Sequence, residues 1–86
     1  MPVIAMFYGI IITMNFKEHM PPHFHARYGE HEGSFTLDGE PINGDIPKRQ
    51  KKFIAAWAEA HDEDLKADWD LCEAQLTPMR IEGIRF

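Results

Sequence analysis

The chain has 86 residues, enough for one small domain near the lower limit at which a single hydrophobic core sustains itself. Hydrophobic residues at 44% and charged residues at 27% exclude a disordered chain, and the single cysteine, Cys72, excludes an internal disulfide and points to a reducing, cytoplasmic setting. A net charge of −5 speaks against binding DNA on its own or an anionic membrane, unless the cations are clustered.

Residues 3–14 are strongly apolar but lack a basic leader and a small-residue cleavage motif, and they fall short of the ~20 residues of a membrane helix. They read as buried β structure. Isoleucines and aromatics over residues 7–16 predict one strand, with Ile10, Ile12, Met14 and Phe16 on one face and Gly9 marking a bulge or close approach. A turn over residues 17–22 leads into a second strand over residues 23–28. There, alternation places Phe24, Ala26 and Tyr28 on an apolar face and His23, His25 and Arg27 on the other. Glycines bracket a loop at residues 29–33, and a third strand follows at residues 34–37. Residues 40–47 carry turn chemistry, with Ile42 able to add one short edge pairing.

The second half reads as helical. Asp45 is placed to cap a helix start and Pro47 to occupy its first turn. Phe53, Ile54, Trp57, Ala58 and His61 form one apolar stripe. Asp62, Glu63 and Asp64 mark a fresh helix start, and Leu65, Trp69, Cys72 and Leu76 form a second stripe. The expected fold is α+β: a three-stranded antiparallel β-meander followed by two helices packed on one face, with a short C-terminal strand or docking tail over residues 79–86.

Three of the five histidines lie between His19 and His25, so the chemistry concentrates there. His23 and His25 on one strand face stand about 6.5–7 Å apart, close enough to share a metal if their side chains converge. His19 is a candidate third ligand, with Glu30 or His31 as a fourth. Such a set suits zinc or another divalent metal. Without metal, His23 and His25 are candidate acid–base groups, with Arg27 offsetting charge on a phosphorane-like transition state. The competing account is a polar sheet face whose imidazoles bond carbonyls or water. Lys48, Arg49, Lys51 and Lys52 form a candidate binding cluster for an RNA backbone or an acidic partner. The bland alternative is pairing with the seven acids between Glu59 and Glu73.

Met1-Pro2-Val3-Ile4, Phe7-Tyr8-Gly9-Ile10, the core Pro21-Pro22-His23-Phe24-His25-Ala26-Arg27-Tyr28, Ile46-Pro47-Lys48-Arg49 and the series Trp57, His61, Leu65, Trp69 run through nearly the whole chain. Together they resemble a small bacterial family, domain of unknown function 4160. The resemblance implies a short cytosolic protein, often encoded beside a second small gene in a toxin–antitoxin-like arrangement, and it brings no catalytic residues with it. The expected function is therefore a protein-interaction component of such a pair, binding the product of the adjacent gene and able to form a homodimer. The alternative is a small histidine-based enzyme, either an RNase-like toxin or a metal-dependent hydrolase using His23, His25 and Arg27.

Overall fold

The computed structural model describes residues 2–85. Five strands form one antiparallel sheet in chain order, β1 (Val3–Phe7), β2 (Ile10–Thr13), β3 (His23–Tyr28), β4 (His31–Thr36) and β5 (Pro41–Gly44). Two helices follow, α1 (Lys48–Ala60) and α2 (Asp62–Glu73).

The three-stranded expectation is therefore corrected to five. The stretch taken as one strand from residue 7 onward is the second half of a hairpin: Phe7 pairs with Ile10 across a two-residue turn. Tyr8 (φ 48°) and Gly9 (φ 77°) both adopt positive φ, the geometry whose twist matches a tight hairpin. Asn-Gly or Asp-Gly usually marks such a turn, and a tyrosine at its first position hides it. The loop after β3 is likewise shorter than the bracketing glycines suggested. Tyr28 pairs directly with His31, so only Gly29 and Glu30 turn, and Gly33 lies within β4. A Cβ on Gly33 would stand 2.9 Å from the Asn43 carbonyl oxygen, so the close approach of β5 requires glycine there. The pairing anticipated at Ile42 is β5 itself, running Gly33↔Gly44 to Phe35↔Pro41 with one irregularity.

The sheet has two unlike faces. Ile10, Ile12, Phe24, Ala26 and Phe35 project into the core against Ile54, Trp57 and Ala58 of α1 and Leu65, Trp69 and Cys72 of α2. The Phe24 ring stacks on Phe35 at 5.7 Å and meets Trp57 edge-on at 5.6 Å. The other face carries Ile11, Thr13, His25, Arg27, Glu32 and Ser34 in register across β2, β3 and β4.

His61 alone separates the helices. Asp62, Glu63 and Asp64 occupy the first turn of α2, where their charge suits the helix dipole. Asp45 does not cap α1. Pro47 stands at that position with no side-chain cap, because the Asp45 carboxylate accepts from Glu32 N–H (3.1 Å) and lies 3.2 Å from His31 Nδ1. Leu76 falls beyond α2 and is 55% exposed, so the second apolar stripe ends at Cys72.

No strand forms over residues 79–85; Phe86 lies outside the described residues. The tail is nonetheless tied down. Met79 N–H donates to Asp68 Oδ1 (2.8 Å), Ile81 N–H to the Ile4 carbonyl (2.7 Å), and Trp57 Nε1–H to the Glu82 carbonyl (2.9 Å). Among the described residues no helix is long and apolar enough to cross a membrane.

Candidate metal centre

The segment between β2 and β3 delivers a carboxylate to the start of the histidine strand. Asn15 Nδ2–H donates to Glu18 Oε1 at 2.7 Å and fixes that carboxylate in place. Its Oδ1 is buried with no hydrogen-bond partner among the described residues. Glu18 Oε2 lies 3.6 Å from His23 Nε2, and Oε1 lies 3.3 Å from His25 Nε2. One ligand atom from each of Glu18, His23 and His25 fits within 4.8 Å of the others.

The outer ring nitrogens are held as well. His23 Nδ1 is 2.7 Å from the Pro21 carbonyl, which only accepts, so Nδ1 carries a proton and donates it. Nε2 is left to face Glu18. At 3.6 Å that contact is too long for a hydrogen bond, and a bare imidazole lone pair would confront a carboxylate oxygen. A metal ion held between them would reconcile those two acceptors. The His23 side chain is 8% exposed, so water offers little relief. The Trp69 ring, 5.6 Å away, closes the pocket from the α2 side.

His25 is held more adaptably. Its Nδ1 shares a 3.3 Å hydrogen bond with Ser34 Oγ on the paired position of β4. A hydroxyl donates or accepts, so Ser34 supports either tautomer: Nε2–H donating to Glu18, or Nε2 free to ligate. Donation from Asn15 chiefly, with the two imidazoles adding to it, holds the Glu18 carboxyl below the usual glutamate range, although partial burial works the other way. The carboxylate is thus kept ionised, the form a metal ligand requires.

The geometry suits a small divalent ion. Two ligands about 2.1 Å from a tetrahedral zinc stand roughly 3.4 Å apart. Each imidazole stands near that distance from its own oxygen of the Glu18 carboxylate, 3.3 Å for His25 to Oε1 and 3.6 Å for His23 to Oε2, and ligands taken one atom per residue, now within 4.8 Å of one another, would draw together around an ion. Carbonyl and hydroxyl partners on the outer nitrogens are the supports that orient metal-bound histidines.

The remaining candidate residues separate. His19 lies at the rim, its side chain 91% exposed and Nδ1 3.8 Å from Glu18 Oε2, and it is not one of the convergent three. Glu18, the neighbour that the sequence reading passed over, takes its place. Glu30 and His31 lie at the far end of β3, where His31 stacks on Tyr28 (6.5 Å) and pairs with Asp45. Arg27 is two residues beyond His25 on the same face and is held by Glu32 at 2.8 Å. It lines, with Ile11, Thr13, His25, Ser34 and Asn43, an open groove of about 600 Å³ across the sheet. Lys48, Arg49, Lys51 and Lys52 sit at the start of α1 and belong neither to the convergent three nor to the lining of this groove. Cys72 is buried, its thiol pushed up chiefly by that burial and further by Asp68 and Glu73, so it does not serve as a nucleophile.

A five-stranded antiparallel meander with two helices on one face and a two-histidine, one-carboxylate pocket at one end of its third strand defines the class of this protein. The profile for Domain of unknown function (DUF4160) matches residues 9–70, and the chain belongs to that family. The matched span holds Glu18, His23 and His25 together with the stripe of α1 and, of the second stripe, Leu65 and Trp69. No curated protein and no solved structure matches the chain.

Proposed function

We propose that the protein is a divalent-metal-binding protein of hydrolytic type, with Glu18, His23 and His25 as the metal ligands. The observation that carries this reading is the meeting of the Glu18 carboxylate with two Nε2 atoms whose opposite ring nitrogens are already engaged. Two histidines and a glutamate form one of the ligand sets of catalytic zinc, leaving a fourth position for water. A bound divalent ion would lower the pKa of that water towards neutrality and supply a nucleophile at physiological pH. His25 lines the groove of about 600 Å³, which gives a substrate access from the sheet face. Arg27, about one strand repeat from His25, is placed to meet an anionic part of that substrate once it exchanges Glu32 for it.

The test is elemental analysis of untagged protein, wild type beside Glu18→Gln and His23→Ala/His25→Ala, followed by hydrolysis of activated phosphodiesters and esters. Near-stoichiometric zinc, manganese or iron in wild type alone, with chelator-sensitive hydrolysis, supports the reading. Wild-type protein that stays metal-free after incubation with each ion overturns it.

A second reading follows the resemblance: a bacterial, cytosolic member of a toxin–antitoxin-like pair that binds the protein encoded next to it. What supports it is β5, exposed at every residue, with Ile42 45% exposed on an open sheet edge. A partner strand that pairs there would gain main-chain hydrogen bonds. Co-expression with the neighbouring gene, with and without Ile42→Lys, tests it; failure to co-purify with the unaltered chain rejects it.

A further inference from the structure

His19 is the one member of the histidine run that the convergent three leave out. It follows Glu18 directly, in a segment outside regular structure. Just before it the chain is fixed by the positive φ of Lys17 (50°) and by the bond from Lys17 N–H to the Cys72 carbonyl (3.3 Å). The Glu18 carboxylate turns in towards His23 and His25, while the His19 imidazole stands at the rim, its side chain 91% exposed. It is nevertheless close. Its Nδ1 lies 3.8 Å from Glu18 Oε2, the same oxygen that stands 3.6 Å from His23 Nε2, and the His19 and His23 rings are 6.0 Å apart. Ligands of a tetrahedral zinc stand roughly 3.4 Å from one another, so a small turn of the side chain brings His19 to ligating distance.

Little resists that turn. Among the described residues the His19 ring makes no hydrogen bond, and residues 19 and 20 make no main-chain hydrogen bond that would have to break. The three convergent ligands differ in this respect. Each is held by a further partner: Asn15 for Glu18, the Pro21 carbonyl for His23 and Ser34 for His25. Such supports carry about tenfold or more of a site's metal affinity. A bond from the unsupported His19 is therefore the one most easily given up.

We propose that His19 is an exchangeable fourth ligand, completing the metal's coordination at rest and yielding its place to a water or substrate oxygen. The inference rests on the reading of Glu18, His23 and His25 as metal ligands. The exchange breaks one metal–nitrogen bond and forms one metal–oxygen bond, so the number of ligands is conserved. A site with four protein ligands is closed, whereas a catalytic one keeps a position open, and His19 gives a single pocket both states. At rest it shields the site from stray anions. The water of the proposed hydrolysis enters only once His19 swings aside.

The test is titration of the untagged full-length protein with cobalt(II), followed by visible absorption, because the filled d shell of zinc leaves that ion without such bands. Wild type is compared with His19→Ala, whose exposed position leaves the fold intact, as circular dichroism verifies. The expected result in wild type is the strong band set of four-coordinate cobalt. In His19→Ala the bands shift and cobalt binds about tenfold more weakly. Azide then perturbs the variant's bands at concentrations that leave wild type unchanged. Free imidazole restores the wild-type bands to the variant, a rescue that a merely structural histidine would not allow. Equal affinity, the same bands and the same azide response in both proteins overturn the role of His19 and leave the other three ligands standing. Shifted bands that imidazole fails to restore overturn it as well. Wild type that takes up no cobalt overturns both this inference and the metal reading beneath it.

Discussion

The pocket at Glu18 and the corner at α1 treat charge in opposite ways. Around Glu18 each polar contact is supplied by the chain: Asn15 on the carboxylate, the Pro21 carbonyl on His23, Ser34 on His25. At the start of α1 four cations stand with no carboxylate within 4 Å among the described residues, against the helix dipole. The first region is built to hold its groups still, with water largely shut out at His23. The second leaves its charge uncompensated and open to solvent. An arrangement organised before a ligand arrives suits a small ion that demands fixed geometry. An uncompensated surface lacks the fixed donors and acceptors that such an ion needs.

The largest expected effect separates the two regions outright. His23→Ala/His25→Ala should weaken zinc binding by at least a hundredfold in chelator competition, whereas Lys48→Ala/Arg49→Ala/Lys52→Ala should leave it unchanged. If the α1 variant also loses zinc, the regions are coupled and the contrast fails. Removing only a support is milder. Ser34→Ala should lower zinc affinity about tenfold, because His25 loses the hydroxyl that accommodates its tautomer change.

Stability sharpens the comparison. Lys48→Glu/Arg49→Glu places acids where the dipole favours them, worth about 0.3–1 kcal/mol each. The thermal midpoint should rise by a few degrees. A fall in that midpoint would mean that the cations make stabilising contacts in place. In the pocket, Glu18 has its pKa depressed on folding. Its stabilisation is therefore present above the ordinary glutamate value and lost as pH falls through the lower, folded one. Glu18→Gln should consequently flatten the acid limb of a stability–pH curve.

The smallest effect concerns Asp68, between the two regions in character. It is 1% exposed, accepts Met79 N–H through Oδ1, and leaves Oδ2 without a partner. Burial pushes its carboxyl above the usual range, opposed by the Met79 bond and reinforced by Asp64. A raised carboxyl pKa means the ionised form weakens the fold, and the penalty vanishes in acid. Asp68→Asn should raise the thermal midpoint by a few degrees near neutrality and by progressively less as pH falls through the raised pKa. Asp68→Ala, which strands Met79 N–H, should lower it.

Much of this was legible from residue order. Phe24 and Ala26 in the alternation of residues 23–28, and the stripes through Trp57 and Trp69, do report on burial, because burial enforces their periods, but His23, placed on the polar face, is buried and Leu76, placed on the second stripe, is exposed. The two extra strands were hidden for different reasons. Tyr8-Gly9 lacks the residue types that announce a hairpin turn, and β5 is exposed and proline-bearing, so no apolar pattern marks it. Glu18 was hidden because it lies outside regular structure. Its contact with His25 spans seven residues and depends on how the 17–22 turn folds back, which local pattern does not encode. The one local sign is Asn15 three residues before it, a spacing that lets an amide brace a carboxylate. The unpaired α1 cations needed the opposite inference: sequence offered acids enough to neutralise them, and only the placement of α2 shows that it does not.

The clasp of the C-terminal tail on β1 has a consequence for assembly. Ile81 N–H takes the Ile4 carbonyl, and Gly83 packs so closely on Met6 and Phe7 that a Cβ there would stand 2.8 Å from Phe7 Cβ. One border of the sheet is thereby sealed, while β5 leaves the other open. A chain with a single adhesive border has a valence of one. Strand-to-strand association through it closes at a pair, since a filament needs two such borders on every subunit.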